Sequence, residues 1–187
     1  MFKKIGLSVI YAVGLGILSQ QVYAGNEGKT IVQQGFDPQS VVYVTNRDSS
    51  DIAVIDMKTN KVIDRIECGT CCNPHMTMAT MDGKRLFTTG TQKNYAVIVD
   101  LKTREIKKVR LGIAPEHFVI SHDGRWAYVG DMEEGAVSIV DLVNNKEVNR
   151  IPGFYEPHGF SMLPDMSKVY VSNLGAHEIG VIDVKSQ

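Results

Sequence analysis

The sequence predicts an all-β fold, a propeller of four-stranded blades, and three observations carry that prediction. A motif recurs at about 42 residues, each copy alternates apolar and polar residues with the period of a strand, and turn formers separate the alternating runs. Four segments align: VVYVTNRDSSDIAVIDMKTNKVIDRI from Val41, RLFTTGTQKNYAVIVDLKTREIKKVRL from Arg85, WAYVGDMEEGAVSIVDLVNNKEVNRI from Trp126, and KVYVSNLGAHEIGVIDVKSQ from Lys168. The aspartate closing each V-I-D or I-V-D run falls at Asp56, Asp100, Asp141 and Asp183, in steps of 44, 41 and 42. One short sheet per repeat, radially arranged, is the architecture that buries such units.

The elements of a repeat follow from local cues. An inner strand is expected on His75 to Thr80, His117 to Ser121 and His158 to Leu163, and a second on Arg85 to Thr89, Trp126 to Gly130 and Lys168 to Asn173. The third ends at the periodic aspartate. The outermost covers Lys61 to Ile66, Glu105 to Leu111 and Glu147 to Ile151. Asp82-Gly83, Asp123-Gly124 and Asn144-Asn145 supply the turns. The four aspartates read as turn residues accepting backbone hydrogen bonds, not as acid/base catalysts. Only about four blades are present in residues 41–187, and the fourth repeat lacks the K-x-V-x-x-x-I continuation seen at Lys61 and Lys146. An incomplete arc is therefore expected, with self-association through its open ends.

Ahead of the repeats, residues 1–24 combine a basic start at Lys3 and Lys4, an apolar stretch from Ile5 to Leu18, and Val22-Tyr23-Ala24 before Gly25. This order is a signal peptide, with cleavage expected after Ala24. Residues 25–40 form an N-terminal segment. The reading implies an exported protein, periplasmic or secreted, with no membrane span in its mature form. Without Lys3 and Lys4 the 20 basic residues fall to 18 against 21 acidic ones, a net charge of −3. That balance gives no electrostatic basis for binding nucleic acid. At 43% hydrophobic and 22% charged, the chain has the apolar content of one ordinary globular domain and not of a disordered one.

Tyr43-Val44-Thr45-Asn46 is the tetrapeptide of the YVTN family of β-propeller repeats. The family pattern, P-H-G-x-x-x-x-x-D-G-K-x-x-Y-V-x-N followed by V-x-V-I-D, resembles this chain from Val41 to Asp183. The resemblance implies an exported propeller related to the haem-binding propeller domain of cytochrome-type nitrite reductases, to haem-maturation proteins and to lactonase-like enzymes. It makes a modified haem or haem precursor the most concrete ligand.

Three histidines recur at one repeat position after a proline, in Pro74-His75, Pro115-Glu116-His117 and Pro157-His158, at spacings of 42 and 41. These spacings put them on three consecutive blades at the entry of the inner strand, near the mouth of the central channel. Two readings stand: the Pro-His pair shapes the loop, as in the family's repeat pattern, or His75, His117 and His158 form a ligand-binding set. Glu116 shifts the register of His117. His122 and His177 read as surface residues.

All three cysteines lie in ECGTCCNPHMT, in the loop leading to the inner strand at His75. Covalent c-type haem needs C-x-x-C-H, and here His75 follows Cys71 by four positions. A Cys68–Cys71 disulfide is the leading alternative, because an oxidising compartment favours it and Gly69 supplies the backbone freedom for a tight loop. A soft-metal site for copper or zinc at Cys72 and His75 is another, and free or intermolecular thiols a third. Met76, Met78 and Met81 fit strand packing better than copper binding.

No G-x-S-x-G, H-E-x-x-H or phosphate loop occurs. The expectation is a binding module that takes a small-molecule ligand or an exported protein partner at the channel rim. A metal- or haem-dependent oxidoreductase or lactonase-like enzyme, and a structural scaffold, are the alternatives.

Overall fold

The computed structural model describes residues 40–69 and 72–186. The signal-peptide reading, the segment up to residue 39, and Cys71 fall outside these residues. The described residues form four antiparallel sheets. The first holds β1 (Val41–Asn46), β2 (Asp51–Asp56) and β3 (Lys61–Glu67), and the second β4 (Pro74–Ala79), β5 (Arg85–Gly90), β6 (Tyr95–Asp100) and β7 (Ile106–Arg110). The third holds β8 (Pro115–Ile120), β9 (Trp126–Asp131), β10 (Ala136–Asp141) and β11 (Lys146–Pro152), and the fourth β12 (Pro157–Met162), β13 (Lys168–Asn173) and β14 (Glu178–Asp183). The strands sit where the alternation puts them, and the sheets are propeller blades. No strand of the first sheet pairs with one of the fourth among the described residues.

The periodic aspartates close the turn after each third strand. Asp100 Oδ1 accepts from the amides of Lys102 at 2.9 Å and Thr103 at 2.7 Å, and Asp141 Oδ1 accepts from Val143 at 2.9 Å and Asn144 at 3.0 Å. Asp56 and Asp183 accept equivalent bonds, from Thr59 N and from Lys185 and Ser186 N. These bonds hold the carboxyls below their ordinary acidity range, as expected for groups that stabilise a turn by accepting charge-assisted hydrogen bonds.

Strand alternation gives each blade two apolar faces, and the blades stack forward face on backward face. Ile52 and Val54 of the first sheet pack on Leu86, Val97 and Val99 of the second. Phe87, Ala96 and Ile98 of the second meet Phe118, Ala127 and Val129 of the third, with Phe87 and Phe118 edge to face at 4.7 Å between centroids. Tyr128, Val137 and Ile139 of the third meet Val169, Val171 and Ile182 of the fourth. Burying a side chain of this size contributes roughly 1.5–3 kcal/mol, so the junctions dominate the stability of the array.

Hydroxyl groups lock the inner strands across these junctions. Thr45 Oγ1 donates to the His75 carbonyl at 3.0 Å, and Thr89 Oγ1, at the same repeat position, donates to the Glu116 carbonyl at 2.6 Å. The third blade carries Gly130 there, and a Cβ on it would lie 2.3 Å from the Pro157 carbonyl oxygen. The missing side chain lets two backbones touch where the other junctions use a side-chain bond.

Candidate functional site

Each inner strand begins with a proline and then gains one extra residue relative to its neighbour. The pairing jumps between Pro74 and Thr77 in β4, between Pro115 and Phe118 in β8, and between Pro157 and Gly159 in β12. A bulge of this kind re-aims the side chains beside it. Here it falls on His75, on Glu116 with His117, and on His158.

The three histidines meet. The rings of His75 and His117 stand edge to face at 5.0 Å between centroids, and those of His117 and His158 are tilted against each other at 3.7 Å. By pairing register Glu116, not His117, is the counterpart of His75 and His158, and His117 is the counterpart of Met76 and Gly159. The bulge still brings His117 between the other two. Burial first, and then the neighbouring His158 and His75, push the His117 imidazole down to about 4. Burial also lowers His75, helped by Arg47 and His158 and opposed by Glu116. Both rings are therefore neutral at pH 7, and each offers one nitrogen lone pair. Nδ1 of His75 and Nδ1 of His117 are buried with no hydrogen-bond partner. An unpaired buried nitrogen is costly, and each of these two keeps its hydrogen-bonding or ligating capacity for a further group.

Glu116 adds a carboxylate. One ligand atom each from His75, Glu116 and His117 lie within 4.8 Å of one another. Among the described residues this group of three contains His75 of the expected Cys72 and His75 pair but not Cys72. Cys72 is fully buried in the core between the first two blades, with Ile52 and Leu86. Its hydrogen bond with Cys68, followed by burial, pushes its thiol up, whereas that bond holds Cys68 down. Cys68 is likewise buried, its Sγ 3.1 Å from the Ser50 carbonyl oxygen. The expected Cys68–Cys71 pairing involves a residue outside those described. His122 and His177 are exposed, His122 beside the Pro164 carbonyl at 3.2 Å.

A second polar group lies at the same end of the third blade, where Asp131 pairs with Pro115. Asp131 Oδ2 is 2.6 Å from Ser138 Oγ, which is 2.8 Å from Glu147 Oε1. Arg150 donates to Glu147 through Nε at 2.8 Å and Nη2 at 3.0 Å, and to Glu134 Oε1 through Nη1 at 2.7 Å. Glu134 Oε2 accepts from the Ile113 amide at 2.9 Å. Gly112 makes the closure of this loop feasible, since a Cβ there would come 2.5 Å from Asp131 Oδ2. Burial, with smaller contributions from Glu134 and Glu147, pushes the Asp131 carboxyl up to about 7 against the pull of Ser138 and Arg150.

The fold has wide likeness among solved structures. Hydrazine synthase from Kuenenia stuttgartiensis superposes with a TM-score of 0.72 at 22% identity, over 80% of this chain and 44% of that one. Dihydro-heme d1 dehydrogenase NirN, solved in complex with DHE, superposes with a TM-score of 0.56 at 18% identity, over 80% of this chain and 43% of that one. Antigen Lp49 of Leptospira interrogans serogroup Icterohaemorrhagiae serovar copenhageni is 29% identical over 149 residues. That match takes in 75% of this chain, which spans about a third of that relative's length (32%). Residues 36–179, running from before β1 into β14, match the model of one family, and by that match the chain belongs to the Cytochrome D1 heme domain family.

Proposed function

We propose that this chain is an exported binding module of YVTN-type repeats that holds a haem-type tetrapyrrole at the propeller's channel rim, with His75, His117 and His158 in contact with it. The convergence of three imidazoles from three successive blades, two of them with an unpartnered Nδ1, carries the reading. The site residues fit such a group: neutral imidazoles can ligate iron or meet the ring edge, and the partly buried setting excludes much of the competing water. When bound, a haem supplies redox or ligand-binding chemistry at its iron. The protein's own contribution is placement. The bulges aim the rings, and the Thr45 and Thr89 bonds fix the strands that carry His75 and Glu116.

The test is the absorption spectrum of the purified exported protein, alone and after titration with haem. A Soret band that saturates at a fixed stoichiometry is expected. Replacing His75 and His158 together with alanine should remove most of it while the far-ultraviolet circular dichroism stays unchanged. Equal loading of the double variant would return both residues to a purely loop-shaping role. The His75, Glu116 and His117 cluster favours a second reading, a divalent copper or zinc site serving an oxidoreductase or lactonase-like activity. Stoichiometric metal without a Soret band would select it.

A further inference from the structure

The polar group of the third blade is one hydrogen short unless Asp131 carries a proton. Ser138 Oγ stands 2.6 Å from Asp131 Oδ2 and 2.8 Å from Glu147 Oε1, and a hydroxyl donates only once. With a proton on Asp131 both contacts are hydrogen bonds. Without it one becomes a contact between two acceptors, and a charge is buried beside Glu134 and Glu147, which oppose it. Asp131 is 0% exposed and its Oδ1 has no partner, so the ionised carboxyl gains nothing in return while the site stays closed.

The segments around Asp131 differ in how firmly they are held. Ser138 lies in β10, and Glu147 and Arg150 lie in β11, two strands paired from Ala136 with Pro152 to Asp141 with Lys146. Residues 112–114, on the other side, belong to no ladder. They close the site through Gly112, where a Cβ would lie 2.5 Å from Asp131 Oδ2. The Ile113 amide donates to Glu134 Oε2 at 2.9 Å, the Ala114 amide donates to Asn94 Oδ1 at 3.1 Å, and the Ala114 carbonyl accepts from the Met132 amide at 3.0 Å. Ala114 has a φ of 57°, left-handed backbone that a residue with a Cβ keeps only while its surroundings enforce it. The loop runs directly into β8, whose bulge carries Glu116 and His117. Thr91 and Thr89 fasten the Pro115 and Glu116 carbonyls from the second blade, at 3.1 Å and 2.6 Å. From the third blade, the same turn is fastened through residues 112–114.

We propose that Asp131 is a proton-operated latch on residues 112–114: with its proton it keeps the loop closed and holds Glu116 and His117 in place for a ligand, and on losing it the loop opens. The charged groups acting on Asp131 are Arg150 and Glu147 from β11 and Glu134 from the β9–β10 hairpin. β8 carries Glu116 and His117 past Pro115, β12, which packs on β9, carries His158, and the second blade meets the loop through the uncharged Thr91 and Asn94. The closed state holds the proton with an affinity near 7, against 3.8 for a carboxyl in water, so closure is strongest in acid, weakens as pH rises toward about 7, and is flat above that. The effect on the loop is independent of what the histidines bind. The effect on uptake rests on the haem reading.

Amide hydrogen exchange of the ligand-free protein, corrected for the intrinsic rise of exchange with pH, tests the latch. Protection at Ile113, Ala114 and Met132 should fall by up to about tenfold per pH unit between about pH 5 and pH 7 and then level off. Asp131→Asn has no charge to bury and should keep high protection throughout. Gly112→Ala props the loop off the carboxyl and should show low protection with no pH dependence, while circular dichroism verifies the fold of both variants. Haem titration then reads the link to the site: Asp131→Asn should bind more tightly than the wild type at about pH 8 and equally at about pH 5, the histidines being common to both. Protection with the same pH slope in wild type and Asp131→Asn would overturn the latch. Haem affinities that stay equal at both pH values would overturn its hold on the site. A protein that takes up no haem but shows the predicted exchange pattern would sink the haem reading and leave the latch standing.

Discussion

Replacing Asp131 with asparagine should raise stability above neutral pH and flatten its pH dependence. Ser138 Oγ contacts two carboxyl groups, at 2.6 Å and 2.8 Å, but a hydroxyl has one hydrogen to donate. One contact must be made by a protonated acid. Glu147 already accepts two bonds from the Arg150 fork, whereas Asp131 is 0% exposed, its Oδ1 has no partner and burial raises its carboxyl to about 7, so the proton resides on Asp131. The carboxyl then donates to Ser138, and Ser138 donates to Glu147. With the folded value near 7 and the ordinary value at 3.8, the native state holds this proton more tightly than the unfolded chain. The sign follows: the contribution is complete below about 3.8, is lost as pH rises toward about 7, and is flat above that. The gap of about three decades in proton affinity corresponds to about 4 kcal/mol at most. Asparagine keeps a donor toward Ser138 and has no charge to bury, so Asp131→Asn should recover a few kcal/mol above neutral pH, with little effect in acid. Urea unfolding followed by the single tryptophan, Trp126, across this pH range is the assay. Parallel pH profiles for wild type and variant, or a carboxyl titration by NMR at or below the ordinary value, would refute the reasoning.

Gly130→Ala forces a Cβ against the Pro157 carbonyl and should cost about 1–3 kcal/mol, and it should also weaken ligand uptake by displacing His158, measured by denaturation and by haem titration. Thr89→Val leaves the Glu116 carbonyl without its 2.6 Å donor and should lower stability by about 1 kcal/mol in the same unfolding assay. Cys72, buried with its thiol pushed up, should resist alkylation in the native protein and react on unfolding, and mass mapping of exported material should find Cys68 linked to Cys71; three thiols alkylated without reduction would exclude that link. N-terminal sequencing of the exported protein should begin at Gly25.

The strands were readable because a half-buried strand leaves a period-two signature, and the periodic aspartates were readable because their turn follows every third strand. His75 and His158 were also in plain view, as Pro-His pairs at one repeat position. The central place of His117 was not, because alternation assigns residues 116 and 117 to opposite faces of a regular strand and only a bulge overrides it. For the same reason Glu116 read as a disturbance of register and not as a member of the cluster. Asp131 gave no signal at all. It occupies the position held by Asn46, Gly90 and Asn173, where a polar strand end is ordinary, and its partners arrive from β10 and β11. Glu134 lies in the loop after β9, and its partner Arg150 is sixteen positions away, too far for any local pattern to pair them.

The histidine row spans the second, third and fourth blades, and this gives a bound molecule leverage over the whole array. In a stack of repeats each unit is held only by its nearest neighbours, so one blade can open while others stay folded. The junction between third and fourth blades is the one where Gly130 replaces the hydroxyl bond. A molecule gripped by His75, His117 and His158 at once would tie the second blade to the fourth across the third, a coupling that no contact between adjacent blades provides. Partial unfolding of the fourth blade would then require release of the ligand, and by linkage the ligand's affinity would drop by the fraction of time that blade spends detached. Occupancy at the rim and the cooperative length of the protein are, on this geometry, one thermodynamic quantity measured in two ways.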